Sequence, residues 1–534
     1  MRPLRHVTAT LLSTAALAAT GCSGSVRFAD RPIVWAVDDR KTIAQPEERE
    51  YLKYQYFADL FFLRRSQRAL ELHDGEPAWN ANAVEEVPDS SWFENRIGLH
   101  DLTPAQVARG PVKEPPRPPY EIVRGKTGGG NFGFVVKDAA GRQFLFKWDR
   151  KENPEMQTGS SVVGNRLVWA FGFSVPGDYI IDLRPEELRL SPKATAKDVV
   201  GDTIPYTTAM MEEALASGPP PKGGVYRTSA SEMLEGEPLG GWPAEGVRDD
   251  DPNDTVPHQH RRELRGLRVL AAWINHTDMK DDNTLDMFVE EKGRRFVRHH
   301  LIDFGEVFGG HAGEKGRRED AYEHYWDWSM QGQAFLALGL WKRPWEDLKP
   351  SPYKAFGWFS AQHFHPEQWR EAYPYWPFWE MDPVDAFWGA KIVMRFRREH
   401  LEAAVAEGRF TEPGAPKYLV DVLERRRDAI GRVWLEALTP LDAIEVRPGA
   451  ICARDLGIHH RLATVGAVER LDDDGDVAES VAVAKDGRVC VRAATDVDYG
   501  IVTLRTRRGT VVKPPMEVHV ARGKLLGLVR DARE

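Results

Sequence analysis

The stretch His276-Thr277-Asp278-Met279-Lys280-Asp281-Asp282-Asn283, followed by Ile302-Asp303-Phe304-Gly305, decides which fold this sequence predicts. Three of its side chains, Asp278, Asn283 and Asp303, are of the types that orient a hydroxyl group or hold Mg²⁺. Each run taken alone is also explained by a cap and a turn after an apolar helix. The order of the neighbouring elements therefore has to decide between the two interpretations.

A glycine-rich segment lies upstream and contains Gly128, Gly130 and Gly133. Glycines let backbone N–H groups approach phosphate oxygens closely, although a hairpin turn between two strands has the same composition. Strand patterns follow at residues 134–136 and 144–148, and the second of these carries Lys147. A helix is predicted next, over residues 155–171. Glu155 lies at its start, where an acidic residue suits any helix.

The order of these elements is similar to that of the protein-kinase-like superfamily: glycine-rich loop, strand lysine, helix glutamate, hinge, catalytic loop and Asp-Phe-Gly. The resemblance covers roughly residues 120–310, with helices to about residue 438 as a second lobe. It implies that the three glycines and Lys147 bind the phosphates of ATP and that Glu155, or as a second candidate Glu152, positions Lys147. It also implies the following roles near the acceptor and the metal: Asp278 orients the acceptor hydroxyl, Lys280 assists at the γ-phosphate, and Asn283 and Asp303 hold Mg²⁺.

The sequence departs from the usual kinase pattern in three ways. Thr277 stands where the catalytic loop normally has an arginine, the segment between Asn283 and Asp303 is long, and no Ala-Pro-Glu follows. These departures favour an atypical or small-molecule kinase over a regulated eukaryotic-type one.

The N-terminus has the pattern of a targeting segment. Arg2 and Arg5 precede a short apolar run that ends in Ala18-Ala19-Thr20-Gly21-Cys22. This end resembles a bacterial lipobox, which implies cleavage before Cys22, lipid attachment to Cys22 and a location in the bacterial cell envelope on a periplasmic or surface face. An ordinary signal peptide with an incidental cysteine is the alternative. No later run is long and apolar enough to be a membrane-spanning helix.

Two further cysteines, Cys452 and Cys490, lie in the C-terminal region. In an oxidising compartment they are candidates for one disulfide, and two buried free thiols are the alternative, because spacing alone does not show proximity. Alternation of apolar and polar residues from about residue 444 predicts a small β-domain around them.

Length and composition fit a multidomain globular protein. The chain has 534 residues, 42% hydrophobic and 29% charged, which predicts about three domains. Its net charge of −9, with both signs mixed, lacks the dense basic surface that nucleic-acid binding requires. We expect an α+β protein: a two-lobed protein-kinase-like fold with an N-terminal helical extension and a C-terminal small β-sandwich domain. The expected boundaries are 1–21 for the signal peptide, 22–110 for the extension, 111–257 and 258–440 for the two lobes, and 441–534 for the β-domain.

Three functions compete. The first is a membrane-anchored kinase-like enzyme that uses Mg²⁺ and ATP to phosphorylate an unknown hydroxyl acceptor. The second is a pseudokinase with the same fold and no turnover. The third is a non-catalytic envelope lipoprotein that binds glycan or protein through its aromatic-rich segment, residues 326–388, or its β-domain. Nucleotide binding separates the first two from the third, and phosphate transfer separates the first from the second.

Overall fold

The computed structural model describes residues 27–49, 53–70, 76–126, 133–198, 202–311, 313–338 and 340–530. Helices and sheets are both abundant, as the α+β prediction requires, and the largest sheet is mixed. Cys22, Gly128 and Gly130 lie outside the described residues. Within the described ranges, none of the helices combines the length and the hydrophobicity needed to cross a bilayer.

A seven-stranded sheet forms the first half of the molecule, in the order β4-β7-β3-β2-β1-β5-β6. Strands β1 and β5 run parallel, and the other neighbours are antiparallel. The apolar residues of these strands form one buried cluster with Trp148 and Leu215. The strands are β1 (Tyr120–Gly125), β2 (Gly133–Lys137), β3 (Gln143–Lys147), β4 (Asp178–Leu183), β5 (Leu188–Lys197), β6 (Thr203–Pro205) and β7 (Tyr226–Glu232).

Residues 188–224 contribute two strands, β5 and β6, to this sheet. Leu188, Ala194 and Ala196 are buried in the cluster described above, and β5 pairs with β1 over much of its length. Parallel pairing joins segments that are distant in sequence, so local sequence patterns do not predict the pairing of β1 with β5.

The second half of the molecule is mainly helical and surrounds the largest buried core. Helices α6 and α9 cross closely because Gly266 has no side chain: a Cβ there would lie 2.6 Å from the ring of Trp388. The aromatic residues of segment 326–388 mostly belong to this core, whereas Trp326 and Trp328 are half exposed. The helices of the chain are α1 (Lys53–Ala58), α2 (Arg64–Leu70), α3 (Pro104–Arg109), α4 (Met156–Phe171), α5 (Thr208–Ser217), α6 (Arg262–Ile274), α7 (Trp328–Leu336), α8 (Trp376–Trp379), α9 (Pro383–Met394), α10 (Arg398–Glu407), α11 (Ala415–Ile430) and α12 (Leu456–His459).

Four further sheets complete the described part of the fold. One three-stranded sheet has the order β10-β9-β8, and β11 pairs with β12. In the C-terminal region, β13, β14 and β17 form one sheet, the strands from β15 to β21 other than β17 form a second, and both contribute to one buried cluster. These strands are β8 (Glu237–Pro238), β9 (Thr284–Glu291), β10 (Arg294–Leu301), β11 (Gly310–His311), β12 (Glu314–Lys315), β13 (Leu441–Arg447), β14 (Ala450–Asp455), β15 (Ala467–Leu471), β16 (Val477–Ala482), β17 (Arg488–Arg492), β18 (Gly500–Arg508), β19 (Val511–Val512), β20 (Met516–Ala521) and β21 (Lys524–Arg530).

Cys452 and Cys490 face each other on neighbouring strands β14 and β17 and form a disulfide. The bond closes a loop with a sequence separation of 38 residues. In the chain-entropy model such a loop closure stabilises the folded unit by roughly 3–4 kcal/mol.

Replacing both cysteines should therefore destabilise the C-terminal region specifically. In the Cys452→Ser/Cys490→Ser variant we expect the local unfolding free energy of β14 and β17, measured by amide hydrogen exchange, to fall by about 3 kcal/mol. Peptides from α6 serve as the internal control and should keep their protection. Equal exchange of β14 in the variant and in the oxidised wild type would show that the bond adds nothing to stability.

Candidate active site

The hairpin formed by β9 and β10 brings the two polar runs of the sequence together. Its register pairs Thr284 with Leu301, and the next pair continues the ladder, with Ile302 N–H donating to the carbonyl oxygen of Asn283 at 3.0 Å. Asn283 and Asp303 therefore lie next to each other, although 19 residues separate them in sequence. The long segment between the two runs is this hairpin.

Asp278 is the centre of a buried polar group at the end of the helix α6. Its Oδ1 accepts a hydrogen bond from Lys280 Nζ at 2.7 Å. Asn283 Nδ2 donates both to Asp278 Oδ2 and to the Asp278 carbonyl oxygen, each at 2.7 Å. Lys280 Nζ also lies 4.8 Å from the centroid of the Tyr373 ring, a cation–π distance. These contacts hold one carboxylate in a single orientation.

The charge state of Asp278 is set by its surroundings. Burial, followed by the nearby carboxylate of Glu306, raises the pKa of Asp278 to about 6, and Lys280 opposes the rise. Glu306 itself lies 3.2 Å from His311 Nδ1. Asp278 is therefore a carboxylate whose proton affinity is closer to neutral pH than usual, as is common for groups that accept protons in catalysis.

Lys147 and Asp303 form an ion pair, with 3.3 Å between Nζ and Oδ1. Lys147 is the last residue of β3, between Gly133 of β2 and Ser229 of β7 in the strand register. Lys147 is the main cause of the lowered pKa of Asp303, which stays ionised. The Asp303 side chain is 44% exposed, so its carboxylate remains open to a ligand.

Phe304 anchors the segment that carries Asp303. Its ring is fully buried, lies 5.8 Å from the His276 ring, and packs where a side chain at Gly164 of α4 would otherwise be. Burial lowers the pKa of His276 to about 4, so the imidazole is neutral at physiological pH. His276 thus has a packing role, connecting the helix α4 to the loop of Asp278.

Glu155 does not lie against Lys147. It adopts a left-handed backbone conformation (φ 68°) directly before α4, and its carboxylate accepts hydrogen bonds from the backbone N–H and the hydroxyl of Thr411. The role of holding Lys147, which the resemblance assigns to Glu155, is filled in the structure by Asp303. The buried Gln157 of α4 lies close to this segment: a Cβ at Gly305 would be 3.2 Å from Gln157 Nε2 and 3.5 Å from Asp303 Oδ1.

Lys126 is a site residue that the motifs did not identify. It follows β1, and its backbone N–H donates to the carbonyl oxygen of Gly133 at 3.0 Å, while Gly133 pairs with Lys147 on the other side. Lys126 and Lys147 therefore lie on either side of Gly133, the first directly after β1 and the second at the end of β3. Burial, followed by repulsion from Lys147, lowers the pKa of Lys126 to about 8, and Asp303 opposes this. A lysine just before the glycine run was the available sequence signal.

The N-terminal extension fixes the loop between Asp278 and Asn283. Arg64 Nη2 lies 3.0 Å from the buried carboxylate of Asp281, and the Asp281 N–H donates to the Tyr56 hydroxyl at 3.0 Å. Asp281 is fully buried, and its pKa is raised by burial and lowered by Arg64. Removing the extension would leave this carboxylate without its charged partner, which is costly.

No family model matches this chain, and no curated protein does. Two solved structures resemble it in part. The crystal structure of the Golgi casein kinase with Mn/ADP bound is 10% identical, with a TM-score of 0.29, and the match covers 60% of this chain and 76% of that chain. A second crystal structure of the Golgi casein kinase is 11% identical, with a TM-score of 0.30 and coverage of 60% and 75%. TM-scores this low do not establish a common fold.

The donor set around Asp303 suits a hard divalent cation shared with phosphate oxygens. Asp303 offers an open carboxylate, and Asn283, whose amide nitrogen is turned to Asp278, keeps its oxygen for a ligand. In the described part of the chain there is no group of three or more His, Cys, Asp or Glu side chains that would enclose a metal alone. Mg²⁺ is often held by one or two protein oxygens together with substrate phosphates, so the residues fit that ion.

Proposed function

We propose that this protein is an atypical kinase-like phosphotransferase that moves a phosphoryl group from ATP to a hydroxyl acceptor. One observation carries the proposal. The Lys147–Asp303 ion pair, 3.3 Å long, lies beside the Asp278–Asn283 pair, because the β9–β10 hairpin joins the two runs. A cation, two metal-type oxygens and a base on neighbouring segments are what phosphoryl transfer requires.

Each residue has a task in the proposed reaction. Lys147 binds phosphate oxygens, and Asp303 and Asn283 hold Mg²⁺, which neutralises phosphate charge when bound. Asp278 accepts the proton of the acceptor hydroxyl as that oxygen bonds to phosphorus and the bond to the departing nucleoside diphosphate breaks. Both Asp278 oxygens are hydrogen-bonded to the protein, but a carboxylate has about four lone-pair sites, so a hydroxyl can still donate to it.

A second function, nucleotide binding without turnover, is favoured by one observation. Glu155 is bonded to Thr411, so in the described chain α4 supplies no carboxylate to Lys147. Lys147 then depends on Asp303 alone for its ion pair, and metal binding would compete for the same carboxylate.

A thermal-shift series with the full chain tests nucleotide binding. A ligand that binds only the folded state stabilises it by about 2.7 kcal/mol at a hundredfold excess over Kd. We expect ATP with Mg²⁺ to raise the melting temperature and ATP with EDTA to raise it less. Release of γ-phosphate to water or to added hydroxyl compounds then separates the enzyme from the binding protein. An unchanged melting temperature with every nucleotide and metal would reject both functions and favour the envelope-protein alternative.

Lys126 should act as a second phosphate-binding cation. Replacing it with methionine removes one charge-assisted hydrogen bond, worth about 1.5 kcal/mol, so Kd for the nucleotide should rise about tenfold. Because burial and Lys147 lower its pKa to about 8, Lys126 loses its charge as the pH rises through that value. Wild-type affinity should therefore weaken above about pH 8, whereas the Lys126→Arg variant should keep its affinity there.

Lys137→Met is the matched control for this experiment, since Lys137 is exposed at the far end of β2. It should leave Kd unchanged. Equal affinities of the Lys126→Met and Lys137→Met proteins would remove Lys126 from the site.

Anchoring through Cys22 is a separate part of the proposal, supported by the lipobox-like sequence that ends at this residue. Cys22→Ala should move the protein from the membrane fraction to the soluble fraction or leave the precursor uncleaved. A variant that fractionates and migrates like the wild type would show that no lipid is attached there.

A further inference from the structure

A second cleft, about 590 Å³ in volume, lies between the helical half of the molecule and the C-terminal region. It is bounded by the loop that joins α9 to α10, by α12 and the residues that follow it, and by a loop of the N-terminal extension. Its lining includes seven lysine and arginine side chains and two aspartates. None of the residues assigned above to nucleotide, metal or acceptor lines it.

Five of the seven cations already have carboxylate partners, which are Lys391 with Glu86 and Asp442, Arg395 with Asp101, Arg397 with Glu399, Arg398 with Glu402, Asp421 and Glu424, and Arg427 with Glu424 and Asp428. The remaining two are Arg454, on β14, and Arg461, after α12. In the described part of the chain neither arginine is in an ion pair, and both are exposed to solvent. The lining therefore includes two guanidinium groups that have no carboxylate partner among the described residues.

Two further features of the cleft favour an anion. The ten-residue helix α10 begins there, and Arg397 is its N-terminal cap, so the positive end of the helix dipole adds to the arginine charges. Burial, followed by repulsion from His459 and neighbouring arginines, lowers the pKa of His460 to about 3. Burial also lowers the pKa values of His400 and His459. The three histidines are therefore neutral at physiological pH and line the cleft as hydrogen-bonding groups.

We infer that this cleft binds a small anion that carries more than one phosphate group. Its volume is that of a small-molecule site. Guanidinium groups match phosphate geometry with two parallel hydrogen bonds, and Arg454 and Arg461 have no carboxylate competing for theirs. A single small anion near the positive end of α10 would pair with these guanidinium groups, whereas a purely apolar ligand would offer them no hydrogen-bond partner.

Calorimetric titration of the full chain with sodium tripolyphosphate, in EDTA and at constant ionic strength, tests the inference. EDTA weakens binding at the metal-dependent nucleotide site, and comparing variants of the second cleft with a control variant separates the two sites. We expect saturable binding, weakened at least about tenfold in the Arg454→Gln/Arg461→Gln variant. The control is Arg447→Gln/Arg492→Gln, which removes two exposed arginines of the same region that already pair with Glu445 and Glu479. Equal affinity of the two double variants would overturn the inference.

A measurement on the wild type guards against misfolding of the variant. Phenylglyoxal modifies accessible arginines, and tripolyphosphate should protect Arg454 and Arg461 while Arg447 and Arg492 react as before. Unprotected Arg454 and Arg461 at saturating tripolyphosphate would overturn the inference. Inositol trisphosphate, titrated in parallel, represents a lipid headgroup, and the probe that binds more tightly identifies the source of the phosphate groups. Neither result depends on whether the chain binds ATP.

Discussion

Asp303→Ala should abolish both the stabilisation by ATP with Mg²⁺ and the transfer of phosphate. In the structure the Asp303 carboxylate is partly exposed, and Lys147 keeps it ionised. Without it the metal loses its main protein oxygen, and the metal supplies several kcal/mol of transition-state stabilisation. A loss of about 4 kcal/mol corresponds to roughly a thousandfold in kcat/KM. Thermal shift and single-turnover transfer measure the two losses.

Asp282→Ala is the matched control. Asp282 is an exposed aspartate in the same loop as Asp278, and its removal changes the net charge by the same amount. This control should retain both the thermal shift and the transfer. An Asp303→Ala protein that still gains the wild-type stabilisation would show that the nucleotide is held without this carboxylate, and the metal assignment would then be wrong.

Local sequence patterns were sufficient to predict many of the helices and strands that position this site. The strand with Lys147 and the helix to Phe171 lie where periodicity placed them, and the helix starts one residue later than predicted, at Met156. Between the two polar runs, β9 and β10 pair as an antiparallel hairpin. These elements depend on alternation and turn residues close together in the chain, which a single sequence displays.

Local sequence patterns could not predict the contacts between segments that are distant in the chain. Glu155 looked like the start of a helix, but its left-handed backbone conformation directs its carboxylate to Thr411, 256 positions away. Asp281 accepts a hydrogen bond from Arg64, which lies 217 positions away in sequence. Such pairings follow from the packing of whole elements, so neither propensity nor spacing reveals them.

The arrangement of Lys147 and Asp303 has a consequence for nucleotide binding. The two charges neutralise each other in the structure, so a phosphate group and a cation must enter together to keep both satisfied. A phosphate alone would approach Asp303, and a metal alone would approach Lys147, each against a like charge. The nucleotide–metal complex should therefore bind more tightly than either component, which explains why EDTA is the informative control in the thermal-shift series.

Asp278→Ala should separate binding from transfer. Asp278 touches Lys280 and Asn283 rather than Lys147, and its proposed partner is the acceptor hydroxyl. The variant should keep most of the nucleotide-dependent thermal shift. Transfer should fall by about 10²- to 10⁴-fold, the usual contribution of a positioned base. Asp282→Ala again serves as the control, and unchanged transfer in Asp278→Ala would remove Asp278 from the reaction.

The pH dependence of the wild type provides a second test of the same residue. Only the ionised form of Asp278 accepts a proton, and burial with the nearby Glu306 raises its pKa to about 6. The value of kcat/KM, which reports the free enzyme, should therefore be level between about pH 7 and pH 8, where Lys126 is still charged, and fall tenfold per pH unit below about pH 6. An ordinary carboxylate would place this fall near pH 4. Folding disfavours the ionised form of Asp278, so its pKa is higher in the folded than in the unfolded protein. The stability that protonated Asp278 contributes is therefore lost as the pH rises from about 4 to about 6. Activity and stability should therefore change in opposite directions across this interval, and a rate that stays level down to pH 4 would show that Asp278 is not the base.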